Sequence, residues 1–292
     1  MELGKRSVWA PTDGFRAPDL AAFAQRLENW GYSALWIPDA MGRDPLVAAS
    51  WILANTKDLI VATGIANIYS RDASTMRAGQ IALNEQSGGR FLLGLGVSHQ
   101  PFVEGVRGHD YLPPVPTMRN YLERMKAQQF VGQPAPEEPL TVIAALGPKM
   151  LELAGTVADG AHPYLVPPEH TAQAREITGS DALLCVEQKV IFETDPETAR
   201  GLARQMLQIY LPLPNYRNNL LRCGYTEEDC ENGGSDKLVD GIIAWGDEKT
   251  IADRLQAHED AGATQVCIQA LGGEGPGQPD ERILEALAPN NQ

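Results

Sequence analysis

The stretch VATGIANIYSRDASTMRAGQIALNEQSGGRFLLGLGVSH, Val61–His99, decides the fold. Its first residues continue an apolar run from Leu59 to Thr63, short enough for a buried strand. A helical segment follows over Asp72–Gln86 and ends at Ser87-Gly88-Gly89, where glycine suits a helix C-terminus. Phe91–Val97 is a second apolar run. Strand, helix and strand thus follow one another in a single direction, as in a parallel sheet.

The same alternation extends both ways from this unit. Upstream, Ser7–Ala10 and Ala34–Ile37 read as strands. Between them Leu20, Phe23, Ala24, Leu27 and Trp30 recur at helical spacing, and Gly31 ends the helix. Pro45–Asn55 is a helix with proline at its start. Downstream, Ser98–Val115 is a loop rich in Pro and Gly, and Met118, Tyr121, Leu122 and Met125 mark a helix. Further strands are expected at Thr141–Ala145, Ala161–Leu165, Leu183–Phe192 and Gln265–Ala270. Helices are expected at Pro148–Ala158, Pro168–Ile177, Pro196–Tyr210, Thr250–Ala261 and Asp280–Leu287. The strands are apolar throughout, which fits strands covered on both faces. Eight strand–helix units without a chain reversal predict a closed (β/α)8 TIM barrel over an open doubly wound sheet. No linker divides residues 1–292, so one domain is expected. The irregular segment of about residues 211–241, with its loop Asn232-Gly233-Gly234, reads as a lid-like insertion before the last βα unit.

Composition narrows the function classes. The 292 residues carry 24 Lys and Arg against 38 Asp and Glu, a net charge of −14. That leaves no broad basic face for nucleic acid or an anionic membrane. No apolar run approaches a membrane span, and the N-terminus has too short an apolar stretch for a secretory signal. Cys185, Cys223, Cys230 and Cys267 have no CxxC spacing. They are read as free thiols in the cytoplasm, with a Cys223–Cys230 disulfide as the minor alternative. His99, Glu104, His109 and Asp110 lack any standard ligand spacing, so no metal is expected. No GxSxG elbow occurs.

In a barrel the chemistry sits at the C-terminal strand ends. The second strand ends in WIPDA (36–40), with Asp39 at the rim as a ligand contact or a loop cap. The third ends in TGIAN (63–67), where Gly64 signals a bulge and close approach of a planar ligand. The fourth ends in GLGVSHQ (94–100). Gly94-Leu95-Gly96 resembles the start of a dinucleotide fingerprint, but His99 stands where the third glycine belongs and no helix follows directly. Glycines within the strand make room for something flat. Ser98 and His99 sit at the mouth, and His99 is either an acid–base group or a loop-bonded histidine. The fifth strand leads through AALGPK (144–149) into a helix. That segment is either an anion site, with Lys149 adding charge, or a plain turn with a good helix start.

These ends together resemble the luciferase-like monooxygenase superfamily. Val61–His99 carries most of the likeness, with a small-residue bulge, a Ser-x-Gly-Arg turn at Ser87–Arg90 and the strand LGLG. The second region is VIAALGPKMLELAGTVADGAHPYLVPPE, residues 142–169. The likeness implies a homodimeric barrel oxidoreductase that binds coenzyme F-420 or, alternatively, FMN, and acts on a small molecule. It is closer to the deazaflavin branch, which includes glucose-6-phosphate dehydrogenase and methylene-tetrahydromethanopterin reductase of that type. By position it implies a non-proline cis peptide at Gly64-Ile65 behind the ring. It also implies cofactor contact from Asp39, ring contact from Gly96, Val97 and Ser98, and phosphate contact from Ala144, Ala145, Leu146, Gly147, Pro148 and Lys149. Gly160, Ala161, His162 and Pro163 lie next to that segment. Two departures matter. Ala40 replaces the catalytic histidine of the sugar-phosphate dehydrogenases, and His99 replaces their acidic residue. His99 is therefore expected to be the polar catalytic group, with Asp39 beside it. Competing readings are an FMN-dependent monooxygenase, a non-catalytic flavin-binding protein, and a barrel aldolase using Lys189.

Overall fold

Eight parallel staves close on themselves in the computed structural model, which describes residues 1–273 and 277–291. In chain order the elements are β1 (Arg6–Trp9), α1 (Ala17–Asn29), β2 (Ala34–Ile37), α2 (Pro45–Asn55), β3 (Ile60–Thr63), β4 (Ala66–Asn67), α3 (Ala73–Ser87) and β5 (Phe91–Gly96). Next come α4 (Gln100–Gly105), α5 (Pro114–Ala127), β6 (Thr141–Ile143), α6 (Pro148–Thr156), β7 (Gly160–Ala161), α7 (Pro168–Thr178), β8 (Leu183–Ile191) and α8 (Pro196–Tyr210). The chain continues with α9 (Pro214–Arg222), α10 (Asp236–Ile242), β9 (Ile243–Trp245), α11 (Glu248–Asp260), β10 (Gln265–Leu271) and α12 (Glu281–Ala286). Strand order runs β10-β1-β2-β3-β5-β6-β7-β8, and β8 pairs back with β10 to shut the barrel. The closing pair aligns Cys185–Ile191 with Gln265–Leu271 residue for residue. This is the expected TIM barrel.

Local chemistry sets the element ends. Asp44 accepts hydrogen bonds from the Leu46 and Val47 amides and starts α2, and Asp72 does the same for α3 through Ser74 and Thr75. Gly88, in the left-handed region at φ 69°, closes α3. Such caps satisfy amides and carbonyls that a helix leaves unpaired. Alternate strand residues then divide into two cores. Trp9, Trp36, Ala62, Leu92, Val142, Cys185 and Cys267 pack together inside the barrel. Val8, Leu35, Val61, Leu93, Ile143, Val186 and Ile268 face the helices. The Ser87–Arg90 turn serves the base of the barrel. The Arg90 guanidinium donates to the carbonyls of Leu53, Thr56 and Leu59, tying the end of α2 to the start of β3.

Three segments differ from expectation. The loop after β5 contains α4, with Pro101 in its first turn. The seven-residue run Val239–Trp245 splits into the end of α10 and β9, which pairs with Lys189–Ile191 of β8. Residues 211–241 pack against α8 around a second core that includes Ala203, Leu207, Leu220, Leu238 and Val239. The four cysteines are free thiols. Among the described residues no helix is long and apolar enough to cross a membrane.

Candidate active site

The C-terminal strand ends surround a cavity of about 960 Å³. That is at the upper end of small-molecule sites, which run to about 1,000 Å³. Its floor and walls come from Trp9, Asp39, Gly64, Ile65, Ser98, His99, Ala144, His162, Tyr164 and Gln269, with Tyr210 and Tyr216 from the α8–α9 side.

The floor is shaped by a break in the third stave. Ala62 pairs with Leu92, but Ala66 pairs with Leu95, so four steps of one strand span three of its neighbour. The extra residue is a bulge, and the Gly64-Ile65 peptide within it is cis. Polar groups hold the bulge from both sides. The Trp9 Nε1–H donates to the Gly64 carbonyl at 2.8 Å, and the Asp39 amide donates to the Ile65 carbonyl at 3.1 Å. Asp39 Oδ2 accepts from the Asn67 amide at 3.1 Å and from Arg71 Nη1 at 3.0 Å. Arg107 stands 3.5 Å from the other carboxylate oxygen. Asp39 is thus the rivet between β2 and the bulge, its side chain only 7% exposed.

Beneath the bulge lies His162, stacked on Trp36 with centroids 4.4 Å apart. Its Nδ1–H donates to the Cys185 carbonyl at 2.7 Å. Burial holds the ring pKa down to about 4, with the Cys185 bond opposing the shift and Lys189 adding to it. His162 is therefore neutral, and its Nε2 carries a lone pair. That atom is buried without a hydrogen-bond partner in a residue that lines the cavity. An unmatched buried acceptor costs free energy until a donor reaches it.

His99 stands at the mouth, directly after Ser98, whose backbone is left-handed at φ 56°. Tyr111 Oη donates to the Ser98 carbonyl at 3.3 Å. The His99 ring lies 5.6 Å from that of Tyr216. Burial lowers its pKa below the ordinary imidazole value, against the opposing hydrogen bond with Asn215. A neutral, half-buried imidazole at a cavity mouth can take or give a proton near pH 7.

The model of the luciferase-like monooxygenase family matches residues 2–265. The chain belongs to that family. A 5,10-methylenetetrahydromethanopterin reductase from Methanolobus tindarius is 33% identical over 159 residues, which is 48% of this chain and 48% of that enzyme. The match therefore spans about half of either protein. The coenzyme F-420-dependent tetrahydromethanopterin reductase of Methanopyrus kandleri superposes with a TM-score of 0.77 at 17% identity, over 99% of this chain and 98% of that one. The oxygenating constituent of 3,6-diketocamphane monooxygenase from Pseudomonas putida, in complex with FMN, has a TM-score of 0.65 at 14% identity, over 92% and 91%. At such identities the two structures support the shared luciferase-like fold.

Within this luciferase-like barrel, Asp39, Gly64, Ile65, Ser98, His99, Ala144 and His162 all line the one cavity. Gly96, Val97, Ala145, Leu146, Gly147, Pro148, Lys149, Gly160, Ala161 and Pro163 lie outside its lining. The strand glycines have a different job from the expected one. A Cβ at Gly94 would fall 2.0 Å from the Thr63 carbonyl oxygen, and one at Gly96 would fall 2.3 Å from Ile65 Cδ1. Their missing side chains make room for the bulge, which in turn faces the cavity. At the head of α6, Gly147 is the N-cap and contributes no side-chain bond. Arg222 of α9 reaches it, with Nη2 3.5 Å from where a Gly147 Cβ would lie. His170 Nε2–H donates to the Leu146 carbonyl at 2.9 Å. Among the described residues no three His, Cys, Asp or Glu side chains gather as a metal site. Glu104 accepts from Gln100 and from the Tyr111 amide instead.

Sequence reasoning missed Trp9, Tyr164, Tyr210, Tyr216 and Gln269 as lining residues. Strand alternation could have found Trp9 and Gln269, which share the inward phase of Trp36 and Cys267. The tyrosines carried no such signal. Lys189 is inside the barrel but outside the cavity lining, with Tyr164's ring 3.6 Å above its ammonium. An aldolase lysine needs open access to a carbonyl substrate, and Tyr164 stands in that path.

Proposed function

We propose that this luciferase-like enzyme is an oxidoreductase that passes a hydride between coenzyme F-420 and a small organic substrate. The observation that carries the reading is the glycine bulge lying beside a neutral, unpartnered His162 acceptor on the floor of a roughly thousand-cubic-ångström cavity. A flat ring fits over such a bulge. The 21% identity, over 94% of this chain, to a putative coenzyme F420-dependent oxidoreductase of Mycobacterium tuberculosis supports the choice of deazaflavin.

When bound, the deazaflavin supplies a ring carbon that accepts or releases hydride. The protein's part is orientation, exclusion of water and control of a proton. Gly64, Ile65 and Ser98 would support the ring, with Gly96 and Val97 behind them and Gly96 giving its space to Ile65. His162 would back the bulge from beneath, its Nε2 turned toward Gly64. Ala144 and Leu146–Lys149 would hold the phosphate arm, with the α6 N-terminus supplying amides and the buried Ala145 and Gly160–Pro163 behind them. Asp39 would keep the bulge in place through Asn67 and Arg71. His99 would move the substrate proton that accompanies the hydride.

A second reading is an FMN-dependent monooxygenase, favoured by the family's name and by the FMN-bound neighbour. Titration with F-420 and with FMN, followed by fluorescence quenching, separates the two. F-420 should bind at least tenfold tighter, about 1.4 kcal/mol. A tenfold preference for FMN would reverse the assignment.

The working unit would be a homodimer in the cytoplasm. Val47 and Trp51 leave apolar surface on the outside of α2, 66% and 42% exposed. Light scattering should give twice the mass of one chain, and a single-chain mass at micromolar concentration would remove the dimer.

A further inference from the structure

Across the barrel from Asp39 and the bulge, the cavity changes character. Tyr164 follows β7, Tyr210 ends α8 and Tyr216 belongs to α9. Their rings touch in a continuous set: Tyr164–Tyr210 at 5.5 Å, Tyr210–Tyr216 at 5.2 Å and Tyr164–Tyr216 at 6.1 Å between centroids. Met206, Ile209 and Leu213 extend this wall. Two of the phenols are already engaged, since Tyr164 Oη lies 2.8 Å from Tyr210 Oη and donates to Gln269 Oε1 at 2.9 Å.

Behind the wall sits a fully buried ion pair. Lys189 Nζ donates to Glu187 Oε1 at 3.1 Å, and both side chains are 0% exposed. Glu187 Oε2 also accepts the Leu165 amide at 3.0 Å. The Lys189 ammonium lies 3.6 Å from the Tyr164 ring centre and 5.1 Å from that of Tyr210. Those aromatic faces therefore already serve a cation, as rings do for ammonium groups.

We propose that the Tyr164–Tyr210–Tyr216 wall is the substrate subsite, and that the Glu187–Lys189 pair behind it selects a neutral, flat, apolar substrate against either ion. This rests on the oxidoreductase reading and names the substrate class for it. A cationic ligand would share the Tyr164 and Tyr210 rings with an ammonium already seated behind them. An anionic ligand would leave water for a wall in which the Tyr164 and Tyr210 hydroxyls are committed, with Glu187 behind it. A buried charge without a partner is costly. A neutral ring gains aromatic contact and loses no hydrogen bond. The bulge side of the cavity is left for the coenzyme ring, with its phosphate arm at the N-terminus of α6.

The test uses three probes of one shape: 2-acetylnaphthalene, 2-naphthoate and 2-naphthyltrimethylammonium. Calorimetric titration of the full chain without coenzyme should give the neutral ketone at least a tenfold lower Kd than either ion. Tyr210→Leu and Tyr216→Leu should each weaken the ketone about tenfold, whereas Tyr210→Phe, which keeps the ring, should restore it to within threefold. The paired change Glu187→Gln with Lys189→Met removes both charges and should improve binding of the ammonium probe about tenfold. An ion that binds as tightly as the ketone, or leucine variants that bind it unchanged, would overturn the proposal. So would mutual exclusion between the ketone and F-420, because that would put the ketone in the ring seat. Failure of F-420 to bind with probe selectivity intact would sink the coenzyme reading and leave the wall standing.

Discussion

Turnover of the His99→Ala variant should fall about 100- to 10,000-fold, the range for removal of a positioned acid–base group. Coenzyme affinity should stay within about threefold, since the bulge that faces the ring and His162 beneath it do not depend on this side chain. The pH profile gives a second readout. Burial disfavours the His99 imidazolium, so the ring stays neutral to a lower pH than an exposed histidine. In the direction that oxidises the organic substrate, neutral His99 takes the proton. Activity should therefore decline only as pH drops below about 6.5, the ordinary imidazole value. In the Ala variant that acidic limb should disappear. Stopped-flow hydride transfer across about pH 4.5–8.5, roughly two units either side of that value, measures both effects. Unchanged turnover would take His99 out of the mechanism.

The second large effect is expected from a single methyl group at Gly94. In Gly94→Ala the new carbon would lie 2.0 Å from the Thr63 carbonyl oxygen and 3.5 Å from the Trp36 ring. The first obstacle is backbone, so no rotamer relieves it. Thr63 is further tied to this point, because its Oγ1 donates to the Gly94 carbonyl at 2.7 Å and accepts from the Gly94 amide at 2.8 Å. The strand must move, and the bulge beginning one residue later must move with it. Overpacking of a tight core costs about 1–3 kcal/mol and occasionally more, and this site should lie at or above the top of that range. Urea unfolding should show a lower midpoint with an unchanged slope, and flavin binding should be lost. The control is Gly201→Ala in α8, where a Cβ meets nothing within 4 Å. Relief of glycine's helix penalty there should stabilise by about 0.5–1 kcal/mol. Equal effects at both sites would refute the packing argument.

Legibility differed by kind of element. The bounds Ala34–Ile37, Pro45–Asn55 and Pro196–Tyr210 were readable because proline at a helix start and abrupt changes of periodicity are local signals. The expected strand Ala161–Leu165 shrank to Gly160–Ala161, and the chain bends at Leu165, whose φ is +59°. The Glu187 carboxylate, 22 residues away in sequence, accepts the amide there. β9 hid inside an apolar run that also ends a helix, and only pairing with Lys189–Ile191 separates the two. In the site, Asp39, Gly64 and His99 were visible as polar or small residues at strand ends. Their roles were not equally visible: Asp39 proves to be an anchor for backbone and arginine, and Gly96 yields its space to Ile65.

The closed eight-stave barrel, the direction of its staves and the rim where chemistry gathers follow from hydrophobic period and turn residues, which act over a few neighbours. The unpartnered His162 Nε2, the filled space above the strand glycines and the tyrosine wall over Lys189 arise only on folding. Those features depend on which side chains meet across the barrel. Tyr164 and Tyr216 lie 52 residues apart in the chain yet 6.1 Å apart in space, and no local pattern carries that distance.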